Sequence, residues 1–315
     1  MKKNALLFAV GHFLVDFACA LMMLGNVRGA EYFLLYNFCA FALQMPVGLI
    51  ADMVNHCKSF SVFGILLVLT ANLPLPILVR VLLAGLGNAC YHVGGGRSAL
   101  LADKKRTGLG IFVAPGAMGI FLGGVLAGNG IAVLLCAAGL TACGAALCLT
   151  GRPKYAVSTG KPRFGWLLLM FLVVVLRSAV GMCMETPWKA GVFVAASAVC
   201  TALGKAAGGF AGDLAPWKRT GICSLLVSAA LYCLPDFGIA GCAAVLLFNM
   251  TMPITLRAAA DDLPGMEGFA FGTLTFALFL GYLAAYYRIA ISPWWGAALA
   301  AVSAGLLALH PEKRT

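Results

Sequence analysis

The sequence predicts an all-α polytopic membrane protein, with twelve transmembrane helices in two pseudo-symmetric six-helix halves. Three observations carry that expectation. The composition is too apolar for water, the apolar runs have the length of a helical span, and a basic segment at mid-chain separates two stretches that repeat one another.

Apolar residues make up 62% of the chain and charged residues 10%, with a mean hydropathy of +0.96. Soluble domains are about half apolar and about a quarter charged, so a water-soluble exterior could not be built from this inventory. Lipid reverses the requirement, but each span must then satisfy its own backbone hydrogen bonds, which leaves helices or a closed barrel. A barrel alternates polar and apolar residues in segments of about 10. Here the runs are continuous over about 20 residues, the length a helix needs to cross about 30 Å of hydrocarbon. The twelve cysteines are scattered through these runs without a C-x-x-C pair and read as small buried hydrophobes.

The first span, at roughly 5–24, follows Lys2 and Lys3 and contains Ala18-Cys19-Ala20, which superficially resembles a cleaved signal peptide. His12 and Asp16 interrupt what would be its apolar region, and many comparable runs follow, so it reads as a span. The second, at roughly 32–51, closes on Gly48 and Asp52. The third to sixth fall at roughly 59–75, 77–100, 107–128 and 130–150, with Lys58 and the Lys104-Lys105-Arg106 cluster in the breaks. The longest connection, Gly151 to Arg163, is basic, polar and Pro-containing, and reads as a cytoplasmic linker between halves at 1–150 and 164–315. The remaining spans fall at roughly 164–185, 188–212, 219–235, 237–257, 267–287 and 290–309.

The net charge of +11 does not signal nucleic acid, because the charges sit in the loops. With the N-terminus inside, 15 of the 22 Lys and Arg fall on the inner side and only Arg28, Lys189 and Arg288 on the outer. The positive-inside bias thus puts both termini in the cytoplasm. Gly48–Asp52 recurs as Gly209–Asp213, and Ile120–Gly123 as Leu278–Gly281, at similar offsets. Parallel six-span halves of this kind are the layout of many secondary transporters.

At these residues the chain resembles the major facilitator superfamily. Gly48 and Asp52, with Lys58 downstream, match its loop motif after the second span, although Met53–His56 stands where the basic cluster is usual. Gly209 and Asp213, followed by Lys218 and Arg219, match the second-half version more fully. Arg80 with Gly85 and Gly87 resembles the fourth-span motif, and Gly110, Pro115, Gly116, Gly119, Gly123 and Gly124 the fifth-span antiporter motif. His12–Asp16, Tyr91-His92 with Arg97-Ser98, and Arg177-Ser178 are similar to the fosmidomycin-resistance-like efflux branch. The resemblance implies alternating access and proton-coupled export.

Charges at mid-bilayer cost about 2.5–3.5 kcal/mol even on lenient scales, so they face a cavity or a partner. His12 and Asp16 lie four apart on one helical face and are expected to handle protons, together with Arg80. Arg177, in the span corresponding to the first, is a candidate partner of Asp16 in a latch that a proton or substrate breaks. Arg177, His92, Arg97, Lys205, Gln44 and Asn249 are the expected substrate-binding residues. Gly48, Asp52, Gly209, Asp213, Lys218, Arg219 and Pro115 are the expected gating residues, the two Asp closing the inner ends through helix-end hydrogen bonds and basic partners. Four intramembrane cations against one carboxylate favour an organic anion or zwitterion, to which Arg offers bidentate contacts.

Other readings remain open. Cys90, His92, His12 and a set of Met residues admit transition-metal transport, and a receptor or lipid scramblase is a further alternative. An enzyme is not expected, because H-E-x-x-H, G-x-S-x-G and P-loop patterns are lacking. No cofactor or resident metal is expected. The expected partners are the lipid bilayer, a small-molecule substrate and protons, with no nucleic acid and a monomeric chain. Loop economy, with about 26 residues per span and loop, suggests a bacterial cytoplasmic membrane.

Overall fold

The computed structural model describes residues 2–102, 104–151, 155 and 159–311. The basic residues Arg152, Lys154, Lys313 and Arg314, and the side chains of Lys2 and Lys3, lie outside that description.

Helix α1 spans Lys2–Asn26, and α2 Ala30–Asn37 passes through a π-turn at Phe38–Ala42 into α3, Gln44–Val54. There follow α4 Cys57–Ala71, α5 Ile77–Ala102, α6 Arg106–Val125, α7 Gly130–Leu149, α8 Phe164–Cys183 and α9 Val192–Leu214. The chain continues with α10 Trp217–Tyr232, α11 Gly238–Asp262, α12 Glu267–Tyr286 and α13 Pro293–Leu309. With α2, the π-turn and α3 taken as one span, the described residues trace twelve passes. Nine are long and apolar enough to cross a membrane, while α4 and α13 are shorter apolar helices. Helix α10 has 16 residues. This is a multi-pass membrane fold.

Local chemistry sets the helix ends. The Asn129 side chain accepts from the amides of Ile131 and Ala132 to start α7, and Ser292 caps α13 with Pro293 in its first turn. Helix α3 stops where Asn55 turns left-handed, with φ 54°. Pro115 lies inside an unbroken α6.

Helix pairing repeats between the halves. In the first, α1 packs on α6 and α7, and α4 on α5; in the second, α8 packs on α12 and α13, and α10 on α11 and α13. The halves meet where α6 crosses α9 and α3 crosses α12. Glycine permits both crossings. A Cβ on Gly209 would lie 2.8 Å from the Arg106 carbonyl and 3.1 Å from Gly110 Cα, and one on Gly48 would run into the Gly268 carbonyl. Small residues that let backbones touch are the usual adhesive between membrane helices. The run Gly94-Gly95-Gly96 serves the same purpose, wedged against Ser61, Phe112 and Phe271 in turn.

Candidate functional site

The polar residues fall into three groups, one in each half and one where the halves meet. In the first half, His12 and Asp16 on α1 meet Asn88 and His92 on α5. His12 Nε2 lies 3.2 Å from Asp16 Oδ2 and 2.8 Å from His92 Nε2. His92 Nε2 lies 3.6 Å from Asp16 Oδ1, to which Asn88 Nδ2 donates at 2.9 Å. All four residues are buried.

The hydrogen-bond partners fix the tautomers. His12 Nδ1 donates to the Phe112 carbonyl at 2.7 Å and His92 Nδ1 to the Asn88 carbonyl at 2.8 Å, because a carbonyl can only accept. In two neutral rings both facing Nε2 atoms would be lone pairs, and at 2.8 Å these repel. One extra proton shared between the rings, balanced by the Asp16 carboxylate, would remove that repulsion. Gly116 of α6 closes the cluster, since a Cβ there would overlap His12 and Asp16.

His12, Asp16 and His92 also offer three ligand atoms within 4.8 Å of one another, a grouping that could hold a metal. Tetrahedral ligands about 2.1 Å from zinc stand roughly 3.4 Å apart. The facing nitrogens, at 2.8 Å, have hydrogen-bond spacing instead.

In the second half, a cavity of about 430 Å³ is lined by Arg177, Ser178, Thr201, Lys205, Tyr232 and Asn249, and runs to Thr186, Trp188 and Lys189 in the loop after α8. That loop lies at the end opposite the termini. No Asp or Glu is among its described lining residues. Arg177 donates weakly to the Phe248 carbonyl at 3.3 Å and lies 5.3 Å from the Phe248 ring. Its buried Nε has no partner among the described residues. Asn249 spends its amide on the Val245 carbonyl, at 2.8 Å.

The third group lies at the end of the bundle that carries the termini, where each half caps a helix of the other. Asp52, closing α3, accepts from the amides of Gly268 and Phe269 at the start of α12, both at 2.8 Å, and from Arg97 Nε at 2.6 Å. Asp213, closing α9, accepts from the amides of Arg106 and Thr107 at the start of α6, at 2.9 and 2.8 Å, and from the Thr107 hydroxyl at 2.7 Å. A carboxylate on a helix N-terminus satisfies amides that have no intrahelical partner. Nearby, Tyr155 of the linker shares a 2.5 Å hydrogen bond with Ser98, and burial pushes its phenol above the ordinary value.

Several expectations are corrected by this geometry. Asp16 is satisfied by His12, His92 and Asn88, not by Arg177, so the Asp16–Arg177 latch is not formed. Arg80 stands apart from the cluster and donates to the Ala71 carbonyl at 2.9 Å, closing α4. Among the substrate candidates only Arg177, Lys205 and Asn249 line the cavity. His92 belongs to the His12–Asp16 cluster, and Arg97 is fully buried against Asp52 and the Cys57 thiol, the latter at 3.0 Å. Gln44, fully buried, donates to the Ala40 carbonyl at 2.6 Å. At the gate, Arg106 rather than Lys218 or Arg219 approaches Asp213, at 3.8 Å. Lys218 instead donates to the His310 carbonyl at 2.6 Å, and Arg219 is exposed. Asp261 pairs with Arg257, whereas Asp262 is fully buried against Arg163 and His310. Asn88 was missed, although its spacing to His92 copies that of His12 to Asp16.

No protein-family model and no curated protein sequence matches this chain. Solved structures do. FucP, the E. coli fucose:proton symporter, matches at 13% identity over 96% of this chain and 95% of its own, with a TM-score of 0.68. FucP, titled a major facilitator superfamily transporter in the outward conformation, gives 12% over 96% of each chain and 0.71. The human organic anion transporter MFSD10 gives 13% over 98% of each and 0.65. A bacterial homologue of the iron transporter ferroportin, outward-facing with soaked iron, gives 15% over 98% of each and 0.60. Likeness at such identities speaks for architecture. The chain has the fold of the major facilitator transporters.

Proposed function

We propose that the protein is a secondary transporter moving a small organic anion or zwitterion by alternating access, coupled to protons. The observation that carries this is the cation-lined cavity without a carboxylate, closed toward the terminal end by the reciprocal caps on α6 and α12. Arg177 in a low-dielectric wall, with a donor unspent, suits a carboxylate or a similar acid group. The positive-inside bias makes the terminal end cytoplasmic, so the cavity faces outward. The halves 1–150 and 164–315, joined by the linker 151–163, would rock about the crossings of α6 with α9 and α3 with α12. His12, Asp16 and His92 hold the coupling proton. The efflux-branch resemblance implies export, whereas the coupling argued below favours uptake of the anion with the proton; a bacterial inner membrane is the location we propose.

The test is flux into proteoliposomes, with and without a pH gradient, for anions chosen by a thermal-shift screen of organic acids on the purified protein. Anion movement that responds to the pH gradient supports the reading, and the sign of the response gives the direction. Movement of lipophilic cations alone, or of manganese or zinc with no response to organic acids, overturns it. Absence of all flux favours a receptor.

A further inference from the structure

We infer that Lys205 links the two sites, as a movable counter-ion whose ammonium turns to the cavity when the His12–Asp16–His92 cluster holds its proton and to Asp16 when that proton leaves. This rests on the transport reading and adds both the coupling residue and the sign of the coupling.

The placement follows from the α6–α9 crossing. A Cβ on Gly110 would lie 2.8 Å from the Lys205 carbonyl, so the Lys205 backbone sits at the level of Gly110. Gly116, which touches His12 and Asp16, is six residues further along α6, about 9 Å nearer the opposite end. Helix α9 runs the other way, and helical side chains lean toward their own N-terminus. The Lys205 stem is thus aimed from the Gly110 level toward the level of the cluster, and it lines the cavity.

The charges that act on its ammonium come from both sites: Asp16 attracts it and Arg177 repels it. The other elements packed on α9 offer no charge at this level. Helix α11 presents Asn249 beside Gly204, α10 presents the neutral Tyr232, and α6 presents glycines. No described residue hydrogen-bonds the Lys205 ammonium. It is an intramembrane cation with a long stem and no fixed partner.

With the proton in place, the cluster is locally neutral and Lys205 adds its charge to Arg177 in the cavity. When the proton leaves, Asp16 becomes the nearest uncompensated anion and draws the ammonium away, so the cavity holds an anion less well. Proton and anion therefore bind together and travel in the same direction. Exchange of one for the other, which an exporter run by an inward proton gradient needs, has the opposite linkage.

The experiment needs no knowledge of the substrate. Thr201→Cys places a thiol in the cavity wall, and its reaction with an anionic and a cationic methanethiosulfonate reagent is followed by mass spectrometry of that peptide in the full-length protein. The ratio of the two rates at each pH cancels ionisation of the thiol itself. The anionic preference should fall roughly tenfold from about pH 5 to about pH 7, a window in which the Lys205 ammonium keeps its own proton, as one unit charge leaves a low-dielectric cavity. Adding Lys205→Gln should flatten the profile, and adding Asp16→Asn should hold it at its acid value. A pH dependence that survives Lys205→Gln, or that rises with pH, overturns the inference while leaving the transport reading intact. Failure of both reagents to react overturns the transport reading as well. Thermal-shift curves confirm that each variant is folded.

Discussion

A carboxylate buried beside two imidazoles has its charge answered within the cluster, so its removal is felt in protons before it is felt in cargo. Asp16→Asn keeps the shape of the side chain and removes the charge that retains the extra proton. The expected outcome is loss of pH-driven accumulation in proteoliposomes with anion binding still detectable by thermal shift. His92→Gln should do the same, because a glutamine cannot share the proton with His12 at 2.8 Å. Arg80→Gln is the contrast. It forfeits a bond that closes α4, worth about 1 kcal/mol, and should leave proton dependence unchanged. The His12–Asp16 pair was legible because a spacing of four puts two residues on one face. His92 and Asn88 carry the same spacing on α5. That α5 lies beside α1 is a tertiary fact, and it places His92 against His12 and Asp16 rather than in the cavity.

The helix ends at the gate make a stronger case than their sequence motif. Asp52 and Asp213 each bind two backbone amides of a helix from the other half, and bonds to a charged group contribute about 1.5–3 kcal/mol each. Asp52→Asn or Asp213→Asn should bias the protein toward an open inner end. The readout is modification of Cys57, now buried beside Arg97, by a thiol reagent applied to the terminal side and followed by peptide mass spectrometry. Each variant should raise the rate several-fold. The double variant should be close to additive in free energy, since the two caps share no group. Gly209→Val should act in the same direction by wedging α6 from α9, where even a Cβ would sit 2.8 Å from the Arg106 carbonyl. A lower rate in any of these would contradict the gate. The motif spacing announced the two carboxylates and their helix-end hydrogen bonds, but not which basic residue of the facing half stands beside them. Lys218 and Arg219 follow Asp213 closely in sequence, yet the carboxylate points at the start of α6, where backbone amides stand open.

At the scale of the whole molecule, hydropathy alone predicted the passes, because lipid leaves a spanning backbone no option but to bond to itself. Span boundaries shifted by a few residues, and the second span proved to contain a π-turn at Phe38–Ala42 that no periodicity reveals. The cavity was the least legible part. Of the four intramembrane cations, Arg80 bonds the end of α4 and Arg97 bonds Asp52, while Arg177 and Lys205 line the cavity. A Lys or Arg inside an apolar run signals that a partner exists, but which partner depends on neighbours far off in sequence. The proposed orientation is open to a direct check. A cysteine replacing exposed Lys189 should react with an impermeant reagent on intact cells, whereas one replacing Lys161 in the linker should react only after permeabilisation. The reverse pattern would turn the molecule over and point the cavity inward.

The two reciprocal caps have one more consequence, which concerns solvent. When the inner end parts, two carboxylates and four backbone amides do not lose their hydrogen bonds outright but trade them for bonds to water. The net difference per bond is thus smaller than its strength in a dry environment, about 1.5–3 kcal/mol where one partner is charged. A gate built this way is poised, and hydration of its faces is the force that parts them. Excluded osmolytes such as sucrose, which disfavour newly wetted surface, should hold it shut and slow turnover without occupying any site.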